Sequence, residues 1–237
     1  MESIFFQNLK KHSAKLIEPL WLKAGYVLEV RFWQKHTMVE VDLHLPEADM
    51  EAWKEVPSIK FRVSGLTLRD YTPACWNADS RTCTLLIDVS HAGLGSNWAK
   101  NLEKNAIIHY MKIETTHHAP DAGSLIVGLG DSSSLGHLLG LQQLINPATR
   151  FIAAVTSTHE GFLSDLKNHF DSPIEPVLSD QGGGLKSLEN WVKLQGFCDT
   201  HTRFYITGNN QLVNGLRQKL KSMGYLPKHI KVKGFWS

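Results

Sequence analysis

The feature that most limits the fold is a change of hydrophobic rhythm at residues 117–123. Before it, apolar and polar residues alternate: Val39, Val41, Leu43 and Leu45 are separated by Glu40, Asp42 and His44, and Ile59, Phe61 and Val63 by Lys60 and Arg62. A period of two sets one face of a strand against a core and the other in water. Similar runs at 26–33, 82–89 and 106–113, divided by turn-prone segments, predict an antiparallel sheet closed into a small barrel. Ahead of it, Ile4, Phe5, Leu9 and Leu16 fall on one helical face, which predicts a helix packed on that barrel.

After the break the pattern becomes short apolar runs, at 125–129, 151–155, 174–178, 204–207 and 230–232. The stretches between them, 135–144, 162–170, 185–194 and 211–223, are each long enough for two to four helical turns. Five strands with four intervening helices predict a doubly wound, parallel α/β sheet. The expected division is therefore two-domain, β followed by α/β, with a barrel over 1–118 and an open sheet over 119–237. In such a sheet ligands bind outside the carboxyl ends of the strands, where loops run into helix N-termini.

Composition supports this and narrows the partners. A chain of 237 residues with 42% hydrophobic positions can fill two cores of this size. Lys and Arg number 25 against 23 for Asp and Glu, a net charge of +2, so no global field selects nucleic acid or an anionic membrane. Any anion site must be a local cluster. Cys75, Cys83 and Cys198 form neither a CxxC pair nor an even disulfide framework, which fits a reducing compartment and makes the cytoplasm the expected location. No apolar run approaches the roughly 18–20 residues that span a bilayer, and no export signal is read at the N-terminus. The chain is expected to act as a monomer. Its 12 histidines are scattered without HExxH, and the adjacent pair His117 and His118 lies in a linker bounded by Pro120 and Gly123, so no dedicated metal site is expected.

Two constellations carry chemistry. The first is the loop after the run at 125–129, Gly128-Leu129-Gly130-Asp131-Ser132-Ser133-Ser134, where small residues let backbone N–H groups approach a phosphate before a helix begins. It is neither GxGxxG nor a Walker loop, and a tight turn with serines capping a helix explains it equally well. Gly130-Asp131-Ser132 also permits a GDS-type serine esterase with Ser132 as nucleophile, but the Asp-x-x-His that would activate it is not near the C-terminus. The one Asp88-Val89-Ser90-His91 stretch lies upstream. The second constellation is Arg69-Asp70-Tyr71-Thr72-Pro73, followed by His91 to Ala99 with Gly95, Ser96 and Trp98. It offers a guanidinium for a diphosphate, a flat ring for a heterocycle and a hydroxyl donor. Singly, Arg69 and Tyr71 read as a surface cation and a barrel side chain.

Taken in order, these residues resemble the siderophore-interacting proteins, flavin-dependent ferric-siderophore reductases of the ferredoxin-reductase superfamily. Arg69-Asp70-Tyr71-Thr72 resembles their Arg-x-Tyr-Thr flavin motif, and His91, Gly95, Ser96, Trp98 and Ala99 their His, Gly, Ser-x-Trp-Ala segment. Gly130-Asp131-Ser132-Ser133-Ser134-Leu135 resembles the Gly-Asp-Glu-Thr-Ala-Leu opening of the pyridine-nucleotide domain, and Gly234-Phe235-Trp236 the closing Gly-Tyr-Trp. The resemblance implies that Arg69 pairs with the FAD diphosphate, Tyr71 stacks on the flavin ring, Thr72 bonds its polar edge and Ser96 contacts the diphosphate. It also implies that NADPH or NADH lies near Gly130 to Ser133, with Trp236 at the closing strand. The implied reaction is reduction of a ferric siderophore or other ferric chelate to release Fe(II). An anionic chelate would need basic side chains, and Lys228, Lys231 and Lys233 are the best local cluster. Their plain alternative is a solvated edge strand. A chelate- or flavin-binding protein without turnover is the third function class.

Overall fold

The computed structural model describes residues 22–121, 125–170, 172–179 and 184–236. The helix expected over 4–16 lies outside them. Seven strands form the first sheet: β1 (Lys23–Phe32), β2 (Met38–His44), β3 (Pro57–Ser64), β4 (Thr67–Tyr71), β5 (Pro73–Asn77), β6 (Thr82–Asp88) and β7 (Ile107–Thr115). Their order is β4-β3-β7-β1-β2-β6-β5, and every recorded pairing is antiparallel. The two edge strands, β4 and β5, are joined through Thr72 alone, so the sheet must curl until its ends meet. That is the predicted barrel. The alternating residues fill it: Val39, Val41, Leu43, Ile59 and Phe61 are all fully buried in one core. A short helix, α1 (Leu94–Lys100), follows β6.

The second sheet holds β8 (Leu125–Asp131), β9 (Phe151–Ser157), β10 (Ile174–Leu178), β11 (Thr202–Asn209) and β12 (Ile230–Trp236). It is parallel throughout, in the order β10-β9-β8-β11-β12. The order reverses between β8 and β11, which is where such sheets open a crevice. Helices α2 (Leu135–Leu144) and α3 (Glu160–His169) cover one face, while α4 (Leu185–Gln195) and α5 (Asn210–Ser222) cover the other. The central strands β8, β9 and β11 are buried on both faces, which is why they read as continuous apolar runs, while the edge strands β10 and β12 are only partly buried.

One apolar core crosses from barrel to sheet. Trp33, Met38, Val56, Ala74 and Leu86 of the first half pack with Leu135, Leu138 and Phe162 of the second. Trp33 stacks on Phe162 with ring centroids 5.6 Å apart. Each such buried side chain contributes about 1.5–3 kcal/mol, so the two halves hold a fixed relation. A second seam ties the linker to the sheet. Tyr205 donates to the Ala119 carbonyl at 2.6 Å, and the Lys231 ammonium donates to Asp121 Oδ1 at 2.8 Å and to Ala119 at 3.1 Å. His118, buried in the same seam, meets His137 of α2 with ring nitrogens 2.8 Å apart. Among the described residues no group of three metal-ligating side chains gathers, and no helix is long and apolar enough to cross a membrane.

Candidate functional site

Strand register brings the carboxyl ends of the second sheet into one row. Asp131 pairs with Thr156, Gly130 with Thr207, and Asn209 with Trp236. A cavity of about 430 Å³ opens along this row, within the range of small-molecule sites, about 300–1,000 Å³. The sheet supplies Asp131, Ser132, Thr156, Ser157 and Asn209; the barrel supplies Asp88, Ser90 and His91. Trp236 closes one side, with its ring 5.3 Å from that of His91 and its indole N–H donating to the Ser133 hydroxyl at 3.1 Å.

Asp131 organises the loop. Its carboxylate accepts from the Asn209 N–H at 2.7 Å, the Ser133 N–H at 3.0 Å and the Ser133 hydroxyl at 2.5 Å. Burial pushes its pKa up, against the lowering effect of these donors. The expected serine cap is therefore an aspartate cap, with serine as donor. Gly130 is obligatory beside it, because a Cβ there would collide with Ser134 and lie 2.7 Å from the Thr207 carbonyl oxygen. Removing the carboxylate strands N–H groups at the ends of two strands. We expect Asp131→Ala to lower stability by about 2 kcal/mol, read as a shift in the urea midpoint without a change in slope.

Ser132 donates to the Asp88 carboxylate, so this bond crosses from sheet to barrel. Asp88 Oδ1 also accepts from the Ser90 hydroxyl at 2.6 Å and lies 3.7 Å from His91 Nδ1. The hydroxyl partner of Ser132 is thus a carboxylate, and no imidazole is recorded on it as a base. That geometry does not assemble the serine-nucleophile arrangement.

On the barrel, Arg69 and Tyr71 lie on β4 and meet the first turn of α1. A Cβ on Gly95 would strike the Tyr71 hydroxyl and approach Arg69 Cγ at 3.7 Å. Trp98, one turn on, stacks against Tyr71 with ring centroids 5.6 Å apart at 21°. Tyr71 keeps partial exposure, and burial raises its pKa to about 12. Arg69 is exposed, and its only recorded bond is to the Leu68 carbonyl at 2.8 Å.

No family model and no curated protein matches the sequence. Among solved structures, a siderophore-interacting protein from Acinetobacter baumannii is similar with a TM-score of 0.73 at 13% identity, covering 91% of this chain and 90% of that one. A siderophore utilization protein from T. fusca is similar at 0.70 and 18% identity, covering 91% and 92%. A ferredoxin reductase of carbazole 1,9a-dioxygenase is similar at 0.73 and 15% identity, covering 90% and 69%. The chain has the ferredoxin-reductase fold.

Within that fold the two expected cofactor seats can be tested against the side chains present. On the barrel, the residues fit a flavin dinucleotide. Arg69 carries a guanidinium without an acid partner among the described residues, and the Tyr71 ring, stacked on Trp98 and tilted against Phe61, stays partly exposed. Ser96 fits less directly, since it is buried with its hydroxyl 3.5 Å from the Asp88 carbonyl oxygen. It also sits inside α1 and not before it. Thr72 turns its carbonyl oxygen toward Gly136, 2.8 Å from where a Cβ would stand, so its backbone serves the contact with α2. On the sheet, the Thr156 hydroxyl is fully buried against Gly184 and has no hydrogen-bond partner among the described residues. The polar lining of the cavity, with Ser132, Ser157, Thr158, Ser179 and Asn209, fits a polar ligand such as a nucleotide.

The predicted lysine cluster does not assemble. Lys231 is committed to Asp121, Ala119 and Tyr205. Lys228 precedes β12 at its amino end, and the strand spans about 20 Å to its carboxyl end. Lys233, two residues beyond Lys231 on the same strand, has no ion pair among the described residues; it lies outside the cavity lining, and its charge acts on Glu114, His118 and His137. Sequence reading passed over Asp88, Thr156, Ser157 and Asn209 as ligand groups. The visible signal was the hydroxyl run Thr156-Ser157-Thr158 following the second apolar run, at the position where doubly wound sheets meet a ribose.

Proposed function

We propose that this protein is an NAD(P)H-dependent flavoprotein reductase, with FAD on residues 1–118 and the nicotinamide dinucleotide on residues 119–237. The observation that carries the reading is the adjacency of the two seats. His91 lines the sheet cavity, and four residues later Gly95 touches Tyr71 on the barrel. A short path between two seats is what face-to-face docking of two ring systems requires. When bound, FAD would supply hydride acceptance and single-electron delivery. The protein's part is positional: Arg69 binds the diphosphate, Tyr71 and Trp98 support the ring, and Asp131 fixes the loop under the dinucleotide. Asp88 and Ser132 hold the two halves in register. Trp236 shields the contact region from water.

The acceptor we propose is a ferric siderophore or a related ferric chelate. The support is the shared fold with siderophore-interacting proteins; Lys233, on the closing strand that ends in Trp236, is the cation to test as a chelate contact. In an anaerobic assay with NADH, FAD and an anionic ferric chelate, Fe(II) should accumulate and be trapped by a chromogenic ferrous ligand. Lys233→Glu should slow that release several-fold, since a charge reversal at this half-buried position changes local attraction by about 1 kcal/mol, while FAD affinity stays the same. Tight chelate binding without Fe(II) would favour sequestration. Equal loss of FAD affinity in the variant would remove Lys233 from the acceptor site.

A further inference from the structure

We infer that residues 4–16 of this chain dock on the outer face of the barrel over β1 and β7, closing an apolar patch made by Tyr26, Leu28 and Ile107. These three are 42%, 40% and 61% exposed. Strand register sets them side by side: Tyr26 pairs with Ile107 across β1 and β7 and with His44 across β1 and β2, and its ring stacks on His44 at 6.2 Å. Their chain neighbours Val27, Ile108 and Leu43 fill the barrel core, so alternation turns Tyr26, Ile107 and His44 outward. Leu28 is the extra residue where the register shifts between Val27 and Glu29, and the bulge leaves it in water. Three large apolar side chains grouped on one exposed sheet face mark an interaction surface.

Other sides of the barrel already have partners. α1 packs on β3 and β6, and α2 on β5 and β6, whereas no described helix packs extensively on β1 or β7. The segment that feeds into β1 carries the complementary pattern. As a helix it sets Phe5, Leu9 and Leu16 on one face and Lys10, Lys11 and Lys15 on the opposite one, and Pro19 ends it before the strand. A helix over 4–16 would be about 20 Å long. Residues 17–22 reach about 20 Å when extended, and Tyr26 lies only about 10 Å along β1 from Lys23. The segment can therefore double back over the patch. Being tethered, it meets the patch at an effective concentration of about a millimolar, above that of a second copy at micromolar levels. The rim gives an anionic lipid surface little to attract it, because Lys104 pairs with Glu29 at 2.9 Å and Lys23 with Glu47 at 4.0 Å. No residue of the sheet cavity, and neither Arg69, Tyr71 nor Trp98, lies on β1 or β7, so this docking stands apart from the reductase reading.

The test is limited trypsin digestion of the full chain, with mass spectrometry following cleavage after Lys10, Lys11 and Lys15. Cleavage samples the undocked fraction, so Ile107→Asp should speed it at least about tenfold. Leu9→Asp, which leaves the sheet untouched, should do the same. Leu66→Asp, at an exposed apolar residue of the turn between β3 and β4, should leave the rate unchanged. Cleavage of the unaltered chain as fast as that of either patch variant overturns the inference. Protection that disappears on dilution together with a dimer-to-monomer change in light scattering gives the face to a second copy and also overturns it. So does co-sedimentation with vesicles of phosphatidylcholine and phosphatidylglycerol that Ile107→Asp abolishes, which gives the face to a membrane.

Discussion

Arg69→Ala should weaken FAD binding by roughly 10- to 150-fold, with the melting temperature of the flavin-free protein almost unchanged. The magnitude follows from one charge-assisted pairing to a diphosphate, worth about 1.5–3 kcal/mol. The specificity follows from position. Arg69 is exposed, and its only recorded bond is to the carbonyl of its own neighbour, so the fold does not depend on its guanidinium. Arg69→Lys should recover part of the loss, because an ammonium keeps the charge but not the two-pronged geometry. Rising salt should weaken binding to the unaltered protein more than to Arg69→Ala. Flavin fluorescence titration reads all three. Unchanged affinity in Arg69→Ala would return this residue to the status of a plain surface cation.

The second large effect is on acid stability. His118 and His137 are buried side by side, and burial holds both neutral: His118 falls to about 4 from 6.5, and His137 falls well below its ordinary value. Lys231 and Lys233 act on His118 in the same direction, and Glu55 opposes them. In the unfolded chain both imidazoles protonate near their ordinary value, so below it the unfolded state binds more protons and stability falls with pH. The loss begins near pH 6.5 and flattens for His118 near pH 4. It amounts to roughly 3 kcal/mol for that residue at about 1.4 kcal/mol per unit, and His137 adds to it. Paired carboxylates such as Asp42, held down by Arg31 and Thr84 against the raising effect of burial, lose their contribution only at lower pH. The difference between the unaltered chain and His118→Gln over pH 5–6.5 separates this pair from Asp131, which burial pushes up, and from His109, which burial pushes down. His118→Gln should flatten the slope of unfolding free energy in that window. An unchanged slope would mean that the pair is hydrated and titrates normally. The consequence for the site is direct: His137 also packs against Phe235, next to Trp236, at ring distance 5.7 Å. Protonation would loosen the strand that closes the cavity.

The α/β half was legible in the sequence because its central strands are buried on both faces and short apolar runs alternate regularly with helix-length stretches. The run at 174–178 and the helix at 135–144 coincide with β10 and α2. The barrel was legible only where alternation was clean. β4 and β5 escaped as separate strands because they lie at the sheet edges. Leu66, Arg69 and Asp70 are exposed there, so no apolar face marked them, and Pro73 opens β5 without needing a ladder N–H. The candidate site was legible to the extent that Tyr71 and the segment from Gly95 to Trp98, singled out together in the sequence, meet in the structure. It was not legible where function depends on what a side chain meets in space. Lys231 and Lys233 look alike in sequence, yet Asp121 from the linker neutralises the first and leaves the second. Asp88 and Ser132 are 44 positions apart and meet only because the two halves dock. His118 reads as part of a linker bounded by Pro120 and Gly123, while the seam with His137 and Tyr205 buries it.

The central claim is that a flavin sits on the barrel beside Tyr71 and faces an electron donor held at the carboxyl edge of the sheet. Its most direct test is an anaerobic titration of the flavin-free chain with FAD, followed by addition of NADH. The account predicts saturable binding of one FAD per chain and rapid loss of the oxidised-flavin absorbance once NADH is added. Absence of saturable binding, or bound FAD that NADH leaves oxidised, would contradict it.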